Sequence, residues 1–293
     1  MTPASPAKGL IALLRLPYWL MTGGLSVLTA FAITKDPLSI SVQMVLLIFF
    51  SMAFITSAGF AINDYFDRES DAVIKPKRPI PSGALSLKQV VAVSGVLFAL
   101  GLVMASFINW LSFAIIAVDS LLLLIYSYMV KRKSGFIANV LVGILTGTAF
   151  MYGQATISTP ATVSLVSLSL YPIAFGTIGG NVLRDILSVE GDSKTGYPTL
   201  PQKIGGANSA KVAALFFMLT GVLAPLPYFL GNFTIYYLPL ILLWGVLLIY
   251  ASIRLVTSAS TVQNVRKYER IVTMSMILLP IALIVESVLG GII

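Results

Sequence analysis

Apolar run length is what most restricts the folds open to this chain of 293 residues. A helix rising 1.5 Å per residue needs roughly 20 apolar residues to cross a hydrocarbon layer of about 30 Å. About nine stretches meet that length, near residues 10–34, 39–62, 86–106, 108–130, 135–155, 160–183, 208–230, 232–255 and 270–291. In lipid the backbone must satisfy its own N–H and C=O groups, so each stretch reads as an α-helix and the chain as an all-α integral membrane protein. Composition agrees: 57% of residues are hydrophobic and 10% charged, against roughly half and a quarter in soluble domains. The first run is too long and too poorly flanked for a cleaved signal peptide, and no soluble domain follows it. Residues 1–293 therefore read as one transmembrane domain.

The charges are distributed unevenly. Lys and Arg number 19 against 11 Asp and Glu, so the net charge is 19 − 11 = +8. With nine spans, every Lys and Arg except Lys35 falls on one side of the membrane. By the positive-inside rule that side, with the N-terminus, is cytoplasmic in a multi-pass cell-membrane protein. Most of these cations set topology and meet anionic membrane lipids. Scattered over short loops, they form no nucleic-acid face, and the sequence gives no sign of an obligate protein partner. The chain has no Cys and no His. Disulfides, thiolate chemistry and imidazole bases are excluded, and any metal must be held by oxygen, as a hard cation such as Mg²⁺ is.

Two polar stretches, at about 63–85 and 184–208, read as cytoplasmic cap loops after the second and sixth spans. The first opens with "AINDYFDRESD", residues 61–71, which packs four carboxylates into an otherwise apolar chain. At 100° per residue Asn63, Asp67 and Asp71 stack one above the next, with Asp64 beside them. Like charges at that spacing repel, so a cation must compensate them. The second, "NVLRDILSVEGDSKTG", places Asn181, Asp185, Ser188 and Asp192 on one helical face, with Glu190 pointing elsewhere. Both stretches end in Pro/Gly-rich turn chemistry, as in a weak internal duplication. Mg²⁺ commonly takes one or two carboxylates plus phosphate oxygens. The candidate metal ligands are thus Asn63, Asp67, Asp71, Asp185, Ser188 and Asp192, with two ions bridging a diphosphate. Arg78, Lys131, Arg132, Arg184 and Lys194 are available to neutralise it.

Other polar groups carry less. Asp119 lies mid-span, where a charge costs about 2.5–3.5 kcal/mol; it either faces a cavity or hydrogen-bonds a neighbouring helix as the acid. Glu286 falls near the opposite interface and needs no special role. The glycines of "TGG", "TIGG" and "LVGILTG" permit close helix packing.

These motifs resemble the UbiA superfamily of intramembrane prenyltransferases. "NDYFDRESD" has its NDxxDxxxD form, "RPIPSG" resembles its RPL-x-x-G turn, and "YSYMVKRKSGFIANVLVG" and "GDSKTGYPTLPQKIG" resemble further stretches, in order along nearly the whole chain. The resemblance implies nine helices around a central cavity, cytoplasmic caps carrying both acidic motifs, and a lipid-facing opening. It implies catalytic roles for Asp67, Asp71, Asp192 and Lys131. Diphosphate contacts would come from Asn63, Arg15, Arg78 and Lys131, and acceptor or carbocation contacts from Tyr126, Tyr128 and Asp64. Ser188 departs from the pattern, which usually has Asp there, so the second ion is expected to be held more weakly, with Asp185 partly substituting.

Within the superfamily, "RPIPSG" and the "EGDSKTG…TLP" stretch are most similar to the archaeal ether-lipid branch. That implies Mg²⁺-dependent transfer from an isoprenyl diphosphate, geranylgeranyl diphosphate, to a hydroxyl of geranylgeranylglyceryl phosphate. The alternative acceptor is aromatic, of the 4-hydroxybenzoate or quinone-precursor type. A transporter or cation channel would put ionisable groups and broken helices at the midplane, whereas here Asp119 is the one clear midplane charge and the clustered acids sit at cytoplasmic helix ends. A CDP-alcohol phosphotransferase would need an Asp-Gly…Ala-Arg run that is missing.

Overall fold

The computed structural model describes residues 5–258 and 261–292, apart from the Thr195 side chain. Among these residues nine helices have the length and apolarity to span a membrane: α1 (Pro6–Thr34), α2 (Val42–Phe66), α4 (Leu87–Ser106), α5 (Trp110–Lys133), α6 (Gly135–Ile157), α7 (Leu165–Lys194), α8 (Leu200–Phe229), α9 (Leu238–Thr257) and α10 (Val262–Leu289). A short helix, α3 (Arg68–Ile74), continues α2 beyond the capping residue Asp67.

Side-chain caps explain where several helices begin. Ser41 accepts the Met44 amide at the start of α2, and Ser86 and Gln89 form a reciprocal capping box on α4. Asn109 caps α5 through Ser112 while donating 2.7 Å to the Ala155 carbonyl of α6. Each cap satisfies backbone donors that a helix start otherwise leaves orphaned. Asn109 thereby separates the two adjacent spans that hydropathy alone runs close together.

The helices close into a ring in the order α1, α2, α4, α5, α6, α7, α8, α9, α10 and back to α1. Additional contacts of α1 with α6 and of α7 with α10 tie it across. Small residues allow the tightest approaches, as expected where lipid offers little drive for association. A Cβ on Gly179 would lie 2.9 Å from the Ala213 carbonyl oxygen, and one on Gly245 would lie 2.6 Å from that of Gly221.

Three sequence expectations shift. The stretch 184–208 is not a loop: α7 runs on to its end, only residues 196–199 connect, and α8 starts at Leu200 with Pro201 in its first turn. Polar residues conceal this from hydropathy, and Pro in a first turn marks a helix start as readily as a loop. The ninth span likewise begins at Val262, well before residue 270, because Arg266, Lys267 and Glu269 ride on its amphipathic first half. Glu286, expected to need no special role near the opposite interface, is fully buried there and accepts from the Thr234 amide and hydroxyl at 2.9 and 2.8 Å. Asp119 takes the helix-bonding course, accepting from Thr148 of α6 at 2.7 Å.

Candidate active site

The first acidic motif sits where α2 hands over to α3. Asp67 separates α2 from α3 without interrupting the ladder: its amide donates to the Asn63 carbonyl, and the Asp71 amide to that of Asp67, both at 2.8 Å. The four-residue stacking of Asn63, Asp67 and Asp71 therefore survives the junction. Asp64, Asp67 and Asp71 are 3, 4 and 4% exposed. Buried carboxylates require partners, and three cations provide them.

Arg15 lies 2.6 Å from Asp64, and Arg78 lies 2.8 Å from Asp64 and 2.5 Å from Asp71. Arg78 arrives through the turn that follows α3, where Ser82 and Leu85 amides bond back to Arg78 and Pro79. Arg15 arrives through a break in α1: its φ of 50° is left-handed, an uncommon state for a residue with a side chain. That break points its guanidinium at Asp64 and over the Phe60 ring, 4.3 Å from the centroid. Lys131 follows a π-helical turn in α5, Tyr126–Val130, and donates to Asp67 Oδ2. The same oxygen accepts Asn63 Nδ2 at 2.8 Å, which leaves Asn63 Oδ1 buried with no partner.

One contact is absent from the sequence reading. Tyr197, in the connection after α7, donates its hydroxyl to Asp67 Oδ1 and lays its ring 4.7 Å from Lys131 Nζ. Burial, then the hydrogen bond and charge of Asp67, push its phenol above the usual range, so it stays neutral as a donor.

The second face is formed on α7. Asp185 accepts from Asn139 at 2.7 Å and lies within electrostatic range of Asp192 and Lys131. Ser188 donates 2.6 Å to Asp192 Oδ2. Lys131 thus relates the two acidic faces. Tyr126 is close enough to feel Asp67, Asp185 and Arg15, whereas Tyr128 is 65% exposed and stands edge-on to Phe66. The other cations make contacts of their own. Arg184 reaches Asn181 at 3.2 Å and Glu269 of α10 at 3.7 Å, Arg132 caps the Phe66 carbonyl at 2.9 Å, and Lys194 is exposed.

No three acids form a ready metal cage among the described residues. The donor set nevertheless fits Mg²⁺, which takes few protein oxygens and completes its shell with water and phosphate. The unpaired buried Asn63 Oδ1 beside Asp67 is the kind of oxygen such an ion uses.

The profile of the UbiA prenyltransferase family matches residues 23–278. Digeranylgeranylglyceryl phosphate synthase of Natronomonas pharaonis is 36% identical over 233 residues, covering 79% of this chain and 81% of that protein. The synthase of Methanopyrus kandleri is 37% identical over 227 residues, covering 77% and 81%. A structure solved in work on digeranylgeranylglyceryl phosphate synthase in membranes superimposes with TM-score 0.81 at 30% identity, over 97% of this chain and 99% of that one. A UbiA homolog from Archaeoglobus fulgidus bound to GPP and Mg²⁺ shares the fold, with TM-score 0.66 at 21% identity over 94% and 99%. The chain belongs to the UbiA prenyltransferase family.

Proposed function

We propose that this prenyltransferase moves a geranylgeranyl group from its diphosphate to the free hydroxyl of geranylgeranylglyceryl phosphate, at the cytoplasmic side of the membrane. The observation that supports it is the meeting of the two motifs at Tyr197, whose hydroxyl donates to Asp67 beyond α2 and whose amide donates to the Asp192 carbonyl of α7, with Lys131 bonded to the same Asp67. The relatives named for the same transfer supply the acceptor class.

Asn63, Asp67 and Asp71 on one face, and Asp185 and Asp192 on the other, are the groups that would hold two Mg²⁺ ions. Bound there, Mg²⁺ neutralises charge developing on a departing diphosphate. Arg15, Arg78 and Lys131 add fixed positive charge at that end, held in place by Asp64, Asp71 and Asp67. As the C1–O bond to diphosphate breaks, the allylic cation left behind needs a water-poor surrounding. The apolar interior of the helix ring supplies it, and aromatic faces such as Tyr126 add cation–π attraction. The acceptor oxygen then bonds C1 and releases its proton to a nearby carboxylate or to diphosphate.

The test is transfer of labelled geranylgeranyl diphosphate by detergent-solubilised protein, with geranylgeranylglyceryl phosphate or 4-hydroxybenzoate as acceptor and with Mg²⁺ or EDTA. Mg²⁺-dependent label in the glyceryl phosphate product alone supports the proposal. Label in the phenol reassigns the acceptor, and transfer undiminished by EDTA removes the metal.

A further inference from the structure

The reading of Asp67 as a metal ligand leaves Tyr197 without a role, yet Tyr197 touches both acidic motifs. Its hydroxyl donates to Asp67 of the first motif, while its backbone amide donates at 3.3 Å to the Asp192 carbonyl of the second. The chain reaches this position because Gly196, at φ 74°, ends α7 in the left-handed region. The Pro198 carbonyl, accepting the Gly135 amide at 3.0 Å, ties the connection to the start of α6.

An ionised carboxylate offers about four lone-pair sites. On Asp67 three are filled, by Asn63 Nδ2, Lys131 Nζ and the Tyr197 hydroxyl. Among the described residues one acceptor position stays open, next to an Asn63 whose Oδ1 has no partner. We infer that Tyr197 is a positioning residue: its hydroxyl fixes the Asp67 carboxylate for the metal and couples the α7–α8 connection to the first motif. This rests on the metal reading above. The phenol acts through Asp67 and needs no contact with substrate. Its ring, against Lys131, keeps that cation from drawing the carboxylate round.

The experiment is Tyr197→Phe, which keeps the ring and removes the donor. Mn²⁺, which shares the preference for oxygen ligands, is titrated into purified protein, and binding is followed by loss of the free-ion paramagnetic resonance signal. Tyr197→Phe is expected to weaken Mn²⁺ binding about tenfold, the scale of one hydrogen bond to a charged group. Half-saturating Mg²⁺ for transfer should rise by a similar factor, with kcat at saturating Mg²⁺ and the thermal unfolding midpoint nearly unchanged. Asp67→Ala serves as the reference. If Asp67→Ala loses Mn²⁺ while Tyr197→Phe binds it as the wild type does, Tyr197 does not position the ligand. Tighter binding by Tyr197→Phe means that the phenol competes with the metal, which also overturns the inference. If Asp67→Ala binds Mn²⁺ like the wild type, the metal reading itself fails.

Discussion

Arg15 Nη2 stands 2.6 Å from Asp64 Oδ1, joining the broken first helix to the second across 49 positions. Asp64 is almost wholly buried and also takes Arg78, so one carboxylate holds two guanidinium groups that would otherwise repel. Removing one partner of a buried pair costs about 3–5 kcal/mol. Both arginine side chains keep 20% exposure, so the lower end applies. Asp64→Ala is expected to lose about 3 kcal/mol of stability, lowering the thermal midpoint by roughly 5–10 °C. Asp64→Asn should lose less, since its amide oxygen still accepts one guanidinium. Equal midpoints for wild type and Asp64→Ala would show that the arginines are held some other way.

Asp67 and Asp71 differ from Asp64 in what they lose. Each sits on the stacked face with Asn63, and each is paired to a cation assigned to diphosphate in the proposed reaction. Asp67→Ala and Asp71→Ala are expected to cut kcat/KM by at least about 10³, the upper range for removing one fixed electrostatic group. Detergent-phase circular dichroism should show the helices intact. Transfer within tenfold of wild type in a folded variant would remove either residue from the metal set.

Ser188 occupies a place where the resemblance leads one to expect a carboxylate. Its hydroxyl donates to Asp192 Oδ2 at 2.6 Å, so it supports a proposed ligand without adding charge. Ser188→Asp adds a second acid one helical turn from Asp192, raising local repulsion that a divalent ion relieves. Half-saturating Mg²⁺ for transfer should fall several-fold. An unchanged Mg²⁺ titration would mean that this side chain does not face the ion.

Much of this was legible in advance, for identifiable reasons. Span number follows from run length, and the Asn63–Asp67–Asp71 face follows from helical spacing, which persists across the α2–α3 junction because the i→i−4 bonds do. Tyr197 was not legible: it lies in a short connection with no periodicity, and its partner is 130 positions away. Arg184 and Arg132 were readable as cations but not by partner, since no spacing rule pairs them with Glu269 and the Phe66 carbonyl. Arg15 could be placed near the acids by resemblance, but no spacing rule foretells a left-handed residue within a span.

Glu286 shows how burial changes the meaning of an acid near a helix end. It is fully buried on α10, its two oxygens accept the Thr234 amide and hydroxyl, and Lys35 at the end of α1 lies 3.9 Å away. The segment between α8 and α9, α10 and α1 are thereby joined at the end of the ring opposite the acidic motifs. The two hydrogen bonds are short and enclosed, while the ion pair is long and Lys35 keeps 30% exposure. Screening discounts the ion pair to at most about 1 kcal/mol, so the bonds to Thr234 dominate. Glu286→Gln retains an acceptor for Thr234 and should cost only about 1 kcal/mol. Glu286→Ala orphans the Thr234 donors and leaves a void, which should cost about 3 kcal/mol or more. Because the contact lies across the membrane from Asp67, half-saturating Mg²⁺ should be unchanged in both variants below their unfolding temperatures. Thermal unfolding and the Mg²⁺ titration measured together check this. If Glu286→Gln proved as damaging as Glu286→Ala, the charge on Lys35 rather than the cap on Thr234 would be what holds the ring closed there.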